Sequence, residues 1–431
     1  MKPTSAEIQR ELDHIKRCRV LTPQEHALLE RIVSLTIKGE TGRLYQKALA
    51  EDLQIASPRQ IGVIATRVRA KLNRHSCQHQ RRLAVRIELP DRGYEAQFSF
   101  RDLARDLSDR SRALLANAKA ALDHRTVPGA ATALSYLGKA LEHDPDHPLL
   151  LSMKAYCHAT RAVFGTVPRA DLQAADAILD QTRSATPRCW ESWFAEACVA
   201  MALRWDWAGA KTAFDKAIAL NGEAQRQPWY CAFLASQGSA ADAIPLLQLT
   251  VNRSHDSPIA RADLVAAEIW AGRYDAAAAT IRTTMHLFGA RAHYLMWVYQ
   301  AILEEATGNP QRAVATLAQV PLRWPQTSIT LGLRAYFSGL NGDVRTARRH
   351  LLKLKTARSV AGKFVPSAQL SAAAFGAGDH QQGVDWLRRG ALDERDPNLV
   401  LANVYPFFRH LHRHPGFRAV VVDTMGLRLP A

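Results

Sequence analysis

Apolar residues recur along most of this chain at the three-to-four-residue spacing of helices, and a short polar turn interrupts them at a nearly fixed interval. The interrupting segments are Trp205-Asp206-Trp207-Ala208, Gly238-Ser239-Ala240-Ala241, Gly272-Arg273-Tyr274-Asp275, Gly308-Asn309-Pro310-Gln311, Gly342-Asp343-Val344-Arg345 and Gly378-Asp379-His380-Gln381. Successive glycines lie 34, 36, 34 and 36 residues apart, and each opens an amphipathic, mostly Ala-rich run. One helical hairpin cannot bury its own apolar face, so neighbours with this period are expected to stack into a superhelix with an extended concave surface. Such a surface holds partners and rarely performs chemistry.

The run Trp207–Asn221 is the cleanest repeat of the tetratricopeptide type. Ala210, Ala213 and Ala217 let helices approach closely, while Phe214, Ile218 and Leu220 fill the gaps. Alanines return at equivalent places around Ala243, Ala277, Ala313 and Ala347. The expectation is about seven to nine hairpins, the earliest two drifting toward a spacing of about 40. The array is placed at residues 128–431, behind a linker and leading helix at 101–127.

Residues 1–100 differ in kind. Thr4 with Glu7, and Thr22-Pro23-Gln24-Glu25, are helix-start signals of the capping-box type. The second opens a helix that buries Leu28, Leu29, Ile32 and Val33 and stops at Gly39. A short helix from Lys47 to Leu53 follows, and Ser57-Pro58 opens a fourth that runs to about His75. The period then changes to two: Leu83, Val85, Ile87 and Leu89 alternate with Ala84, Arg86 and Glu88, a turn follows at Pro90–Gly93, and Tyr94–Phe98 alternates again. That pattern predicts a β-hairpin after a helix. The fold class expected for the whole chain is mainly α: a small winged helix-turn-helix domain, its wing a β-hairpin, followed by an α-solenoid.

On a helical wheel Ile61, Ile64, Ala65, Val68 and Leu72 of the fourth helix form one inner stripe. Arg59, Thr66, Arg67, Ala70, Asn73 and Arg74 lie opposite, flanked by Gln60, Arg69 and Lys71. Between Arg59 and Tyr94 there are nine Lys or Arg against two acids, Glu88 and Asp91. An arginine fork suits guanine or phosphate, and asparagine pairs with adenine. Arg81 and Arg82 enter the hairpin and Arg92 sits at its tip, within reach of a minor groove or backbone. The candidate DNA-binding residues are therefore Arg59, Gln60, Thr66, Arg67, Arg69, Lys71, Asn73, Arg74, Arg81, Arg82 and Arg92. The alternative is a solvated basic face or a protein-docking surface.

These residues resemble a family of bacterial transcriptional regulators that join an N-terminal winged helix, similar to response-regulator effector domains, to tetratricopeptide repeats. The likeness is carried by Ile8–Leu12, Ile32–Glu40, Ala48–Leu53, Arg67–Leu72 and Ile87–Tyr94, and at the other end by Tyr405–Phe417. It implies duplex-DNA binding by the fourth helix and wing, and a last helix pair that caps the array. The linker Gln54–Pro58 is shorter than the family pattern and lacks its Phe-Asp-Pro run. Winged-helix regulators commonly act as dimers, so a homodimer is a candidate assembly with no residue specifying its interface.

Composition adds little except charge. Lys and Arg total 56 against 40 acids, a net charge of +16, which suits a polyanionic partner. The six cysteines show no CxxC pair, which suggests reduced thiols in a cytoplasmic protein. The N-terminus lacks an apolar leader core, and no stretch approaches a membrane span. Trp190, Trp193, Trp205, Trp207 and Trp229 cluster in sequence, a pattern of packing or of a ligand pocket. His410, His412 and His414 share one short segment without a carboxylate or Cys spaced to complete a metal site. No GxSxG, P-loop, GxGxxG or HExxH occurs, so no enzyme and no cofactor is expected. The function these features favour is a DNA-binding regulator whose repeats receive a protein, peptide or effector; the alternative is a non-enzymatic scaffold binding proteins through both parts.

Overall fold

A computed structural model of the chain describes residues 107–430 apart from 165–166, 184–188, 322–327 and 361–363, and, before them, residues 9, 12–13, 16, 21–37, 53, 64–65, 67–68, 71, 83–88 and 95–100. The chain divides into two compact units, Met1–Ser108 with Ala185–Cys189, and Asp109–Ser184 with Trp190–Ala431.

In the first unit helix α1 (Pro23–Ile37) opens as its sequence dictates. The Thr22 N–H donates to Glu25 Oε2 at 2.8 Å and the Glu25 N–H donates to Thr22 Oγ1 at 3.4 Å, the reciprocal capping box. Leu28, Leu29, Ile32 and Val33 are buried on its inner face. Strands β1 (Leu83–Glu88) and β2 (Glu95–Phe100) pair antiparallel, Leu83 opposite Phe100 and Glu88 opposite Glu95. The second strand runs two residues beyond the predicted Phe98, and β2 lies alongside α1. Residues 64, 65, 67, 68 and 71 are helical. The proposed turn at Pro90–Gly93, the capping box at Thr4 and the short helix from Lys47 to Leu53 lie outside the described residues, except Leu53, which is in a turn.

The second unit is a stack of helical hairpins, eight among the described residues. They are α2 (Asp109–Leu122) with α3 (Val127–His143), α4 (Pro148–Phe164) with α5 (Pro168–Arg183), α6 (Trp190–Val199) with α7 (Trp207–Leu220), and α8 (Pro228–Ser236) with α9 (Ala240–Arg253). There follow α10 (Pro258–Trp270) with α11 (Tyr274–Phe288), α12 (Leu295–Ala306) with α13 (Pro310–Ala318), α14 (Ser328–Leu340) with α15 (Val344–Ser359), and α16 (Ser367–Gly376) with α17 (His380–Arg389). The segment read from sequence as a linker and leading helix thus contributes α2, which packs along α3 as half of the first hairpin.

The recurring turn has one mechanism. Gly238, Gly272, Gly308, Gly342 and Gly378 all have φ between 70° and 86°. In each, the glycine N–H and the next N–H return to carbonyls of the last helical turn, as in Gly308 N to Glu305 O and Asn309 N to Glu304 O, both 2.8 Å. This left-handed C-cap satisfies the orphan carbonyls. Asp343 and Asp379 then accept from the N–H three residues on, at 3.0 Å each, and start the next helix. C-cap, reversal and N-cap fit in three residues, which is why the signal is so regular.

Helices α6 and α17 end differently. After α6 the chain widens into a π turn (Ala200–Arg204), and Trp205 takes the left-handed position at φ 52°. After α17 a π turn (Gly390–Glu394) places Arg395 there at φ 55°. Beyond it the chain makes short 3₁₀ turns at Pro397–Leu401 and Pro406–Leu411 and one further helix, α18 (Pro415–Arg418), which widens into a π turn at Ala419–Thr424. The expected closing helix pair is absent from the described residues. Pro397, Pro406 and Pro415 each remove a backbone donor and interrupt the segment; its two 3₁₀ turns lie along first helices of the hairpins, and α18 packs against α17. Among the described residues no helix is long and apolar enough to cross a membrane.

Candidate functional site

Of the eleven residues proposed to meet DNA, Arg67 and Lys71 are described, and Arg59, Gln60, Thr66, Arg69, Asn73, Arg74, Arg81, Arg82 and Arg92 lie outside the described residues. Ile64, Ala65 and Val68 are buried and Arg67 is exposed, as the helical wheel demands. Lys71 is different: its ammonium sits 2.6 Å from Glu25 Oε2. Burial works to raise the Glu25 carboxyl, but hydrogen bonds from Lys71 and Thr22 outweigh it and hold the group below its ordinary range. Lys71 therefore ties its helix to the start of α1, a bond between elements that a wheel drawn on one helix cannot reveal.

In the second unit the inner side is built from first helices, and the chain's own C-terminal segment fills it. Trp205 Nε1–H donates to Ala391 O at 3.0 Å and Trp207 Nε1–H to Met425 O at 2.6 Å. The Asn398 amide donates to Val163 O at 2.9 Å, and the Asn403 amide to Ser236 O and Arg428 O, both at 2.8 Å. Asp396, fully buried, accepts from the Ala368 N–H at 2.9 Å and so fastens the segment to the start of α16. Glu394 accepts from Ser367 Oγ at 2.7 Å and pairs with Arg358 and Arg389. The surface expected from sequence to be an open concave face is here largely occupied.

Between the first helices and that segment a cavity of about 180 Å³ remains. Its wall includes Tyr156 and Thr160 of α4, Trp229 of α8, Asp263 and Trp270 of α10, Val298, Tyr299 and Ile302 of α12, Leu333 of α14, and Gln369 and Ala372 of α16. Pro397, Asn398, Val400, Tyr405, Phe407 and Phe408 close it. At one side Arg125, from the turn between α2 and α3, donates to both Asp263 oxygens at 2.5 and 2.7 Å. The Arg125 side chain is 17% exposed and that of Asp263 11%. Burial opposes the guanidinium charge, and the facing Asp263 carboxylate more than restores it, so the group stays firmly protonated.

The same turn is gripped from α12's approach. Tyr294 Oη–H donates to Arg125 O at 3.1 Å, and His293 Nε2 lies 3.1 Å from His124 O. The Leu295 N–H points at His293 Nδ1 at 3.3 Å. The ring is thus satisfied as the neutral Nε2–H tautomer, and burial with Arg125 nearby lowers its pKa to about 3. Arg125 and Asp263 are 138 residues apart, and no local pattern in the sequence marks either of them as a site residue.

The other candidates resolve into packing. Trp205 stacks on Trp207 at 6.5 Å, Trp190 meets Phe194 edge-on, and Lys216 lies 4.2 Å over Trp193; Trp229 alone of the five lines the cavity. His410 Nδ1 lies 2.9 Å from Tyr336 Oη, His412 stacks on Phe417, and His414 stacks on His380. Cys157, Cys189, Cys198 and Cys231 are buried free thiols, and burial pushes Cys157 up to about 12; Cys18 and Cys77 lie outside the described residues.

No protein-family model matches this chain, and no curated protein matches it. Solved structures similar to it include a tetratricopeptide repeat protein from Parabacteroides merdae ATCC 43184, 17% identical over 62% of this chain and 99% of that one, with a TM-score of 0.41. Another is the APC/C hetero-tetramer Cut9–Hcn1, 13% identical over 92% of this chain and 74% of that one, TM-score 0.45. A third is the P58(IPK) TPR domain, 13% identical over 70% of this chain and 99% of that one, TM-score 0.21. The repeat architecture of the chain rests on its own eight hairpins, and likeness at these levels says nothing about partner or activity.

Proposed function

We propose that this chain is a non-enzymatic binding protein whose hairpin array docks a protein partner on the side made by its second helices. One observation carries the reading. On α15, Arg345, Arg348, Arg349 and Lys353 are exposed and form no ion pair among the described residues, and they surround Leu352, which is 64% exposed. A leucine that far from the core, ringed by unpaired cations, fits an acidic partner segment with an apolar residue of its own. Reversing the charges at Arg349 and Lys353 to Glu is expected to abolish capture of an acidic, leucine-bearing partner while leaving helical content unchanged. Capture by the reversed-charge variant at wild-type strength would remove α15 from the interface.

A second reading, a DNA-binding regulator, is favoured by the buried Ile64, Ala65 and Val68 beneath an exposed Arg67, with a β-hairpin following in sequence. On this reading a duplex would neutralise about five phosphates per chain, so log K falls with log salt at a slope of about −4 to −5. Replacing Arg67 and Arg74 together with Ala weakens binding by about 2–4 kcal/mol. A mobility shift indifferent to both salt and the double substitution would sink it, and would leave the α15 reading standing.

A further inference from the structure

The cavity inside the array is furnished as a ligand site. Its wall is mainly apolar and aromatic, and its one full charge pair is internally satisfied, because Arg125 and Asp263 hold each other through two parallel hydrogen bonds. What it leaves open is polar but uncharged. Gln369 is 9% exposed, lines the cavity, and its side-chain amide has no hydrogen-bond partner among the described residues. Tyr299 and Tyr405 line the same space, and their hydroxyls form no hydrogen bond among the described residues. On the same wall Trp270 Nε1 is buried with no hydrogen-bond partner among the described residues, and a buried donor ordinarily finds one, since leaving it unpaired costs free energy.

We propose that this cavity binds a small uncharged aromatic molecule bearing one or two hydrogen-bonding groups. The volume of about 180 Å³ is somewhat larger than the roughly 150 Å³ of an apolar cavity that accepts benzene, which sets the size at one ring with substituents or two fused rings. The aromatic walls supply offset and edge-on partners for such a ring. Charge selects against ions of either sign: an anion would have to face Asp263, and a cation Arg125, in a mainly apolar site. Gln369 and the two phenols receive the ligand's polar groups, which separates its ligands from plain hydrocarbons. The far wall is the C-terminal segment at Tyr405, Phe407 and Phe408, so the bound molecule joins that segment to α12 and α16.

The test uses the full chain and four probes of related shape: indole, toluene, indole-3-acetate and tryptamine, by titration calorimetry with thermal unfolding in parallel. Indole is expected to bind and to raise the unfolding temperature, with indole-3-acetate and tryptamine at least tenfold weaker. Gln369→Leu, which removes an amide with no hydrogen-bond partner among the described residues, is expected to fold normally. It should cost indole about fivefold to tenfold in affinity and leave toluene unchanged. Ala372→Phe, which fills the cavity, should abolish both. No binding of indole, equal binding of the charged probes, or an indole affinity untouched by Gln369→Leu overturns the proposal; the leucine variant keeps the test decisive should Ala372→Phe not fold.

Discussion

Glycine serves two purposes in this chain, and substitution separates them. At Gly308, with φ 86°, a Cβ would meet no atom within 4 Å, so the residue is required only for its backbone conformation. Gly308→Ala should therefore cost about 1–2 kcal/mol, read as a lower urea midpoint with an unchanged slope. Gly339 is the opposite case: a Cβ there would run into the backbone of Gly376, where α14 and α16 touch. Gly339→Ala should cost more than Gly308→Ala, because two helices must separate. The Arg125–Asp263 pair obeys a third rule. Arg125→Met strands a buried carboxylate, for an expected loss of about 3–5 kcal/mol, and adding Asp263→Leu should recover most of it. A double variant as unstable as the single one would show that the ion pair itself, not the stranded charge, carries the stability. His293 makes the pH prediction. Its folded pKa of about 3 lies below the ordinary 6.5, so as pH falls through 6.5 the unfolded chain takes up a proton that the folded chain refuses. Stability from this group is complete above about pH 6.5 and declines toward pH 3, by at most about 1.4 kcal/mol per pH unit. The stability difference between the wild type and His293→Phe should grow as pH rises from 3 to 6.5 and then level off.

At the scale of elements, local chemistry and packing reach different depths. The turns are local: a left-handed glycine, followed at Gly342 and Gly378 by a capping Asp, is written in consecutive positions, and the helices on either side follow from apolar spacing. Trp205 shows the rule bending. A bulky residue at φ 52° is strained, and what holds it is a distant bond to Ala391 O together with a local stack on Trp207. The closing segment is decided by competition between elements. The resemblance carried by Tyr405–Phe417 implies a closing helix pair; its prolines interrupt it, and Phe407 and Phe408 are buried against the cavity while α18 packs on α17. Breaking one tie tests that arrangement. Asn403→Leu removes amide donors to Ser236 O and Arg428 O, for an expected cost of about 1–3 kcal/mol, with faster proteolysis confined to the last forty or so residues. Cleavage at the wild-type rate there would mean the segment is held without that asparagine.

For the whole molecule, what is legible along the chain and what is not divide by range. The period of the turns, the capping box at Thr22, the buried stripe at Ile64, Ala65 and Val68, and the change to alternation at Leu83 all act over a few residues, and each is legible in the order of residues alone. The inner occupancy of the array is not. It joins Asn398 to Val163 and Asn403 to Ser236, and Arg125 to Asp263, across gaps of 235, 167 and 138 residues. Lys71, which on its own helix looks like a cation for nucleic acid, proves to be the partner of Glu25 for the same reason. By itself the amino-acid sequence determined the hairpins and their repeat, because backbone capping and apolar periodicity are short-range. The tertiary structure alone decided which face of the stack stays open, which charges remain unpaired and where a cavity survives, because those depend on surfaces that meet only after the superhelix has wound.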